Sequence, residues 1–571
     1  MTKKNVFAGK DGREFRDFKV SFLEFKHLEI DRVLTSLFPR LIFGGRAGRV
    51  SGGKESWTID DFLRECLSQP QWFDGFDACN GAARRWIETD LIDVVNRGGA
   101  SQRVAAPRPL HGNAYKFRNR EAGRDYGGSE QIYGMLAHAR GGRGLAALGA
   151  LRGFFFPPPE QGWGADAPAA GAGAGDPGLQ PDVETQAILR WRGGAEDRQD
   201  AGDPPPNVAP MCVGQADLMA DDILRLMAYA PHVSRPALID RLKTLLAFHL
   251  SLYHLKLLAM LPKMVGQGFC DETCRKPLCP VSLGPDEPFA GCPYRLGLVV
   301  DMGGDGKSHM GRMAAASAER FYRRIPPFVQ ALFAFKKLDE MAEEYGPVER
   351  KLPKPNAESS ALDGPLFLLK PRFDQDRENY FQTRLLKART DADVDQETQT
   401  AEALGSNAFE SFIEFIMGVR GNYQRDYVSQ TLDSLMLKNK ENGMLAQPHK
   451  GDRRFVLGSK LLETLILLAL LRQRDGRFES REIRIEQLLD FMRLRYGIFI
   501  DRLPPGEAQS ASVLDRQALR LNLEAFKLRL RETGFYGELS DAYVTQKISP
   551  RYAVGHDLKR SAGQAAGGRG A

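Results

Sequence analysis

Four of the seven cysteines lie close together in the chain, and their spacing is the clearest sign of chemistry in the sequence. They are Cys270, Cys274, Cys279 and Cys292, which form the pattern C-x3-C-x4-C-x12-C within 23 residues. Neighbouring glycines and prolines favour an irregular backbone with turns, which can bring four sulfur atoms together. Thiolates are ligands that zinc and other soft cations prefer. The pattern therefore predicts a metal-binding insert with these four ligands.

Two kinds of metal centre fit this spacing. A zinc ion held by four thiolates is a common structural site, although the usual C-x2-C pairs are absent. Cys279 and Cys292 are each followed by proline, a context also found beside iron–sulfur clusters. We expect structural zinc, with an iron–sulfur cluster as the alternative and four unrelated thiols as the third interpretation. The other cysteines, Cys66, Cys79 and Cys212, are expected to be small apolar residues of the core.

The second chemical signal lies in a helix near the end of the chain. Leucine and phenylalanine recur there at the spacing of a buried helical face, which predicts a helix over 515–533. Extended pieces at 535–539 and 542–548 follow. Three helices and then a hairpin is the order of a winged helix, whose last helix can present cations to DNA phosphates. The predicted DNA-contacting residues are Arg516, Arg520, Lys527, Arg531, Lys547 and Arg551. The alternative is a winged helix that binds protein and leaves this charged face in solvent.

A second basic stretch lies in the N-terminal part of the chain. Lys116, Arg118 and Arg120 alternate with Tyr115 and Phe117. Cations next to aromatic rings suit contact with a nucleic-acid backbone together with base stacking. The alternative is a basic loop that lies against acidic groups of the protein itself.

The charge of the whole chain hides these two regions. The chain has 571 residues and a net charge of only +6, and its 42% hydrophobic and 27% charged residues are ordinary for a globular protein. Residues 441–571 hold 22 Lys and Arg against 16 Asp and Glu, which accounts for the whole excess. Residues 84–152 hold 12 against 6, balanced by acidic stretches elsewhere. This composition excludes wholesale disorder, a collagen-like repeat and a disulfide-stapled miniprotein.

The elements that must position these residues are mainly α-helical and belong to several domains. We predict helical N-terminal and middle domains, with the cysteine insert in the middle one, and a C-terminal winged-helix-like α+β domain. The boundaries are 1–155 for the N-terminal domain, 156–208 for a low-complexity flexible insertion, 209–345 for the middle domain, 346–406 for a charged, proline-rich linker region, 407–560 for the C-terminal domain and 561–571 for a disordered tail.

Two very apolar runs, 245–261 and 461–471, are predicted to be buried core helices. The first contains His249, His254 and Lys256, and the second is too short to cross a membrane, which takes about 20 apolar residues. The polar N-terminus lacks the apolar stretch of a signal peptide. We therefore expect a cytoplasmic protein with no membrane partner.

One acidic cluster leaves an enzymatic alternative open. Asp217 and Asp221 share a helical face, with Asp222 beside them, and carboxylates can hold Mg²⁺. Acidic residues near a helix N-terminus are also favoured by the helix dipole alone, which is the simpler interpretation. No motif assigns catalytic residues.

Several stretches together resemble one protein family. They are FKHLEIDRVL (25–34), the basic stretch 91–126, GQADLMADDI (214–223), CPYRLGLVVDMG (292–303) and YRRIPPF (322–328). They are similar to an accessory protein of bacterial methylation-associated anti-phage defence systems. The resemblance implies partners, namely a DNA methyltransferase with its specificity subunit and ATPase or kinase-like effectors. It implies no catalytic residues.

The sequence thus predicts a non-enzymatic, DNA-associated scaffold or sensor of a defence complex. A Mg²⁺-dependent nuclease effector and a purely protein-binding adaptor are the alternatives.

Overall fold

The structure is a computed structural model that describes residues 16–51, 56–157, 181–191, 196–198, 207–283, 288–349, 360–391, 405–536 and 547–555. The described residues are mainly helical, as predicted, and the strands are short pairs. The predicted tail 561–571, most of the low-complexity segment and the centre of the predicted C-terminal hairpin lie outside these ranges.

Eighteen α-helices are described, numbered here in chain order. They are α1 (Ile30–Ile42), α2 (Ile59–Leu67), α3 (Asn80–Trp86), α4 (Gly128–His138), α5 (Arg143–Phe155), α6 (Val183–Arg190), α7 (Val213–Met227), α8 (Arg235–Gln267), α9 (His309–Tyr322), α10 (Ile325–Glu349), α11 (Asp363–Phe367), α12 (Asp374–Asp391), α13 (Ala408–Ile416), α14 (Asn422–Leu435), α15 (Ser459–Ala469), α16 (Ile485–Tyr496), α17 (Pro505–Ala508) and α18 (Val513–Glu532).

Twelve short strands form six pairs within the described ranges. The strands are β1 (Arg49–Ser51), β2 (Ile92–Val95), β3 (Arg103–Pro107), β4 (Glu196–Arg198), β5 (Leu298–Val299), β6 (Leu445–Ala446), β7 (Arg454–Phe455), β8 (Leu471–Arg474), β9 (Arg477–Ser480), β10 (Ile483–Arg484), β11 (Ile498–Phe499) and β12 (Lys547–Ile548). The pairs β1–β4, β2–β3, β6–β7, β8–β9 and β10–β12 are antiparallel, whereas β5–β11 is parallel.

The long helix α8 lies at the centre of the molecule. Nearly every side chain between Leu242 and Leu261 is buried, as expected for a helix surrounded by others. It packs against α7, α10, α14 and α15. By length and composition it is the one described helix that could cross a membrane, but 94% of its most apolar window is buried inside the protein. Its apolar residues therefore build the core, as predicted.

One region predicted to be a flexible insertion contains regular structure. Helix α6 and strand β4 lie within 156–208, and β4 pairs with β1. Asp182 caps α6, Ile188 is buried, and the buried Trp191 packs against the rings of Phe62 and Phe117. The low-complexity composition of the preceding residues concealed this short amphipathic helix.

The C-terminal part is joined to the middle of the chain by backbone pairing. β11 follows α16 and pairs with β5, which follows the cysteine segment. The buried side chain of Asn522 on α18 donates to the carbonyls of Val300 and Ile500 at 2.9 Å each, and it accepts from the Met302 amide at 2.7 Å. One continuous apolar core runs from Val20 to Val554. The domain boundaries given above thus remain predictions.

Candidate functional site

Helix α18 is held so that one face stays in solvent. Ser512 and Asp515 begin the helix with reciprocal bonds, from the Ser512 amide to the Asp515 carboxylate and from the Asp515 amide to the Ser512 hydroxyl. On the inner face Leu519, Phe526 and Leu530 are buried. The helix forms almost over the predicted range because its capping box and apolar spacing agree.

The basic stripe of α18 consists of Arg516, Arg520, Lys527 and Arg531. Arg516 and Arg520 are exposed, and no ion pair to either is found among the described residues. Lys527 pairs with Glu524 at 3.0 Å, and the exposed Arg531 lies 5.7 Å from the ring of Tyr536. Arg516 and Arg520 are thus the two cations of this stripe best placed to take an outside anion.

The other two cations predicted in this part of the chain are engaged within the protein. Lys547 pairs with Glu482 at 3.3 Å. Arg551 pairs with Glu463 at 3.0 Å and stacks over Phe535. Exposed pairs of this kind are weak, and both side chains stay partly in solvent, so each can exchange its partner for a phosphate at small cost.

Beside the basic stripe runs a row of exposed leucines. Leu514, Leu521 and Leu528 are 63%, 65% and 54% exposed, and they are spaced seven residues apart. A seven-residue repeat keeps all three on one side of the helix over a length of about 21 Å. Single exposed leucines need no explanation, but a row at this spacing is typical of a surface that packs against another helix. The row of leucines was not among the predicted features, although its seven-residue spacing is visible in the sequence.

The second basic stretch faces inward to a large extent. Tyr115 and Phe117 belong to the core, so neither ring is open to a nucleic-acid base. The Arg118 guanidinium donates to the hydroxyl of Ser36, and burial lowers the pKa of this side chain. Lys116 is partly buried, and Arg120 alone of the three predicted cations is exposed. This geometry favours the interpretation as a loop docked on the protein itself.

The three carboxylates considered for Mg²⁺ are buried partners of arginines. Asp222 is fully buried and accepts from Arg495 Nε at 3.0 Å, Tyr496 Oη at 2.8 Å and His249 Nε2 at 3.1 Å. Burial by itself would raise the pKa of Asp222, but Arg495 and His249 hold it well below its usual range. Asp221 also contacts Arg495, and Asp217 contacts Arg140. These carboxylates fix the position of arginines.

The arginines so positioned line a cleft of about 960 Å³ between α5, α7, the β8–β9 hairpin and α16. Its lining contains six arginines, Arg140, Arg143, Arg225, Arg472, Arg481 and Arg495, but only two carboxylates, Asp217 and Asp490. Burial, together with the nearby cations Arg472 and Arg225, lowers the pKa of Arg481. Four of the six arginines already pair with Asp217, Asp221 or Asp222, and Arg472 pairs with Glu479, so most of the positive charge of the cleft is balanced within the protein.

The predicted cysteine ligands lie on the irregular segment that follows α8 in the chain. Cys270 is buried, whereas Cys274, Cys279 and Cys292 are partly buried, and all four are free thiols. As placed in the structure, no three Cys, His, Asp or Glu side chains of the described residues form a group that could hold a metal ion. A four-cysteine metal site is thus not preformed, and metal binding remains a prediction.

Comparison with known families connects this geometry to a biological setting. Residues 10–552 match the family described as methylation-associated defense system protein MAD7. The chain belongs to this family. The match covers nearly the whole chain and confirms the resemblance to methylation-associated defence proteins. Searches of curated proteins and of solved structures gave no match.

Family membership makes this protein a component of a methylation-associated defence system, whose other components are its expected partners. Three surface features of the described residues could contact such partners. They are the basic stripe, the row of leucines and the arginine-lined cleft.

Proposed function

We propose that this protein is a non-enzymatic, DNA-associated scaffold of a bacterial anti-phage defence complex that works with a DNA methyltransferase. The exposed basic stripe of α18 carries the proposal, because Arg516 and Arg520 are held on a well-packed helix and lack an ion-pair partner among the described residues. A rigid helix that presents guanidinium groups can contact successive DNA phosphates.

The order of elements around α18 supports the same function. The chain order of the elements in this part is α15, β10, α16, α18 and β12, with other short elements between them. β10 pairs with β12, and Ile548 of β12 forms a bridge to Tyr536 after α18. In a winged helix the first strand pairs with the last in this way, and the third helix is the recognition helix. We therefore interpret this unit as a winged helix with α18 as its DNA-facing helix.

The test is binding of fluorescein-labelled duplex DNA to the full-length protein, followed by anisotropy. Replacing Arg516 and Arg520 by alanine together should weaken binding to any duplex sequence, because phosphate contacts carry no sequence information. The matched control is the double variant Arg64→Ala and Arg389→Ala, which removes the same charge from exposed side chains of α2 and α12. Equal weakening by both double variants would show non-specific electrostatics rather than a DNA-facing helix.

A second candidate function, a purely protein-binding adaptor, is favoured by the row of leucines. The row of leucines consists of Leu514, Leu521 and Leu528, and its seven-residue repeat matches that of an amphipathic helix. Such a helix of another component could pack along the whole row. The neighbouring arginines favour acidic residues at the edge of that helix. In this case α18 would face protein along its whole exposed surface.

Separate substitutions in the basic stripe and in the row of leucines distinguish these functions. If the row of leucines binds another defence component, the double variant Leu521→Lys and Leu528→Lys should abolish co-purification of this protein with that component. If DNA binding survives these changes but is lost in the arginine variant, α18 contacts both partners and acts as the proposed scaffold. Loss of complex assembly in the arginine variant, without any change in DNA binding, would establish the adaptor instead.

A further inference from the structure

The β8–β9 hairpin carries two arginines at its tip. Asp475 and Gly476 form its two-residue turn, with positive φ of 49° and 77°, as the commonest tight hairpin turn requires. Arg474 and Arg477 flank this turn and lie directly opposite each other in the strand register. Like charges at directly opposite positions destabilise a pair of strands. The tip therefore keeps two positive charges together at a cost in stability, which an outside anion would offset.

The inner face of the hairpin packs on the protein. Side chains alternate between the faces of a strand, so Leu471, Phe478 and Ser480 share one face in this register. Leu471 and Ser480 are buried, and Phe478 packs against the main core. The guanidinium of Arg225 also lies 5.3 Å from the ring centre of Phe478. The opposite face of the hairpin is thus the one turned to solvent.

This outer face carries three exposed arginines, Arg472, Arg474 and Arg477. Arg472 Nη2 lies 3.9 Å from Glu479 Oε2, and Arg474 Nε lies 3.8 Å from Asp475 Oδ2. No ion pair to Arg477 is found in the described part of the chain. Exposed pairs at such distances contribute little and exchange easily. The two arginines at the tip are therefore available to an anion from outside.

The base of the hairpin is fixed to the end of the proposed winged helix. The Ser480 amide donates to the carbonyl of Val554 at 3.0 Å. A Cβ atom placed on Gly555 would lie only 2.6 Å from the carbonyl oxygen of Phe478, so the two backbones are in close contact. Val554 and Gly555 follow β12, the last strand of that unit. The hairpin is therefore attached to the unit that contains α18.

We propose that the tip of the β8–β9 hairpin is a second DNA contact, in which Arg474 and Arg477 bind neighbouring phosphates of a duplex. This inference rests on the proposed DNA association and adds a second surface to that of α18. Guanidinium groups form charge-assisted hydrogen bonds with phosphate oxygens. Phosphates follow one another along a strand at about 3.4 Å of helix axis, so two adjacent guanidinium groups meet two adjacent charges.

The composition of the outer face favours duplex DNA over other anionic partners. Phe478 is the one aromatic residue between Leu471 and Ser480, and it lies on the inner face. The outer face thus has no ring on which an unpaired base could stack, as a single-strand site would need. It also has no apolar side chain, whereas the centre of a protein interface is apolar or aromatic. Contact with the phosphates of a duplex needs only the cations.

The experiment measures binding of fluorescein-labelled duplex DNA to the full-length protein by anisotropy, between about 50 and 200 mM salt. Each phosphate contact contributes about 0.9 to the slope of log affinity against log salt, so Arg474→Ala with Arg477→Ala should lower the slope by about 1.8. Over this range the wild type should lose roughly 12-fold more affinity than the variant. The control Arg64→Ala with Arg389→Ala should keep the slope.

A charge-conserving variant separates electrostatic contact from a structural role of the tip. Arg474→Lys with Arg477→Lys keeps both positive charges and should keep the slope, because an ammonium group also pairs with a phosphate. If the lysine and alanine variants lowered the slope equally, the tip would not act through its charge, and the proposal would be overturned.

The outcomes for the hairpin and for α18 are distinguishable. An unchanged slope in the hairpin alanine variant, with a lower slope in Arg516→Ala with Arg520→Ala, would overturn the hairpin contact and leave the proposed function intact. The reverse result would support the hairpin and count against α18. If the hairpin variant kept its slope but no longer co-purified with a defence component, the tip would bind an acidic protein surface instead, which also overturns the proposal. Wild-type protein that binds no DNA would refute the proposed function together with the hairpin contact.

Discussion

Replacing Asp222 by asparagine should destabilise the protein strongly while hardly changing its shape. Asp222 lies on α7 and joins three helices, because it accepts hydrogen bonds from His249 on α8 and from Arg495 and Tyr496 on α16. This contact fixes the C-terminal part, which carries α18, to the middle of the chain. The substitution removes the charge but keeps the volume of the side chain.

The size of the effect follows from the burial of the group. Removing one partner of a buried ion pair costs about 3–5 kcal/mol, because the other charge is left uncompensated. Arg495 retains Asp221, whose carboxylate lies 2.5 Å from its guanidinium, and an asparagine oxygen can still accept one hydrogen bond. We therefore expect a loss of about 3 kcal/mol in the free energy of unfolding, at the lower end of that range.

Urea unfolding, followed by far-UV circular dichroism, measures this loss from the midpoint and slope. The control is Asp475→Asn, which changes an acid that is 94% exposed and has a positive φ that asparagine tolerates. The control should stay within about 0.5 kcal/mol of the wild type. If Asp222→Asn also stayed within about 0.5 kcal/mol of the wild type, the contacts of Asp222 would not hold the C-terminal part to the middle of the chain. That result would refute the prediction.

Two further predictions concern a close backbone approach and the pH dependence of stability. Gly497 ends α16 with φ of 73°, and a Cβ atom there would overlap the carbonyl of Leu296, so Gly497→Ala should cost more than about 2 kcal/mol in a urea titration. Gly476→Ala, at a similar φ but in open space, should cost only about 1 kcal/mol, and equal costs would contradict the close approach. Burial, reinforced by Asp339, raises the pKa of Asp17 to about 7, so the folded state keeps a proton that the unfolded chain releases. Stability contributed by this group should therefore fall as the pH rises from about 4 to about 7. Asp17→Asn should flatten that fall in melting temperatures measured across the range, and identical pH dependence in both proteins would refute the assignment.

Helices with strong local signals were predicted well from the sequence. The range 515–533 corresponds closely to α18, because the apolar spacing is a local feature, although the helix begins two residues earlier, after the Ser512 cap. The second apolar run, 461–471, contains most of α15, whose leucines and isoleucine are buried as expected. In such segments local preference and tertiary packing act in the same direction.

Contacts between distant residues could not be predicted in this way. Asp217, Asp221 and Asp222 were assigned to the dipole of their own helix, yet Asp222 is paired with Arg495, which lies 273 residues later. Cys212, by contrast, was expected in the apolar core and is buried there. Nothing in the sequence shows that the start of α7 and the cysteine segment meet, although a Cβ atom on Gly214 would lie 3.3 Å from the sulfur of Cys279.

The salt dependence of DNA binding tests the central proposal most directly. In a plot of the logarithm of the affinity against the logarithm of salt concentration, each phosphate contact contributes a slope of about 0.9. We predict that the double variant Arg516→Ala and Arg520→Ala lowers the slope by about 1.8, the contribution of two phosphate contacts, and that the Arg64→Ala and Arg389→Ala control leaves it unchanged. Equal slopes for the wild type and the α18 variant, or no salt-dependent binding at all, would contradict a DNA-facing α18.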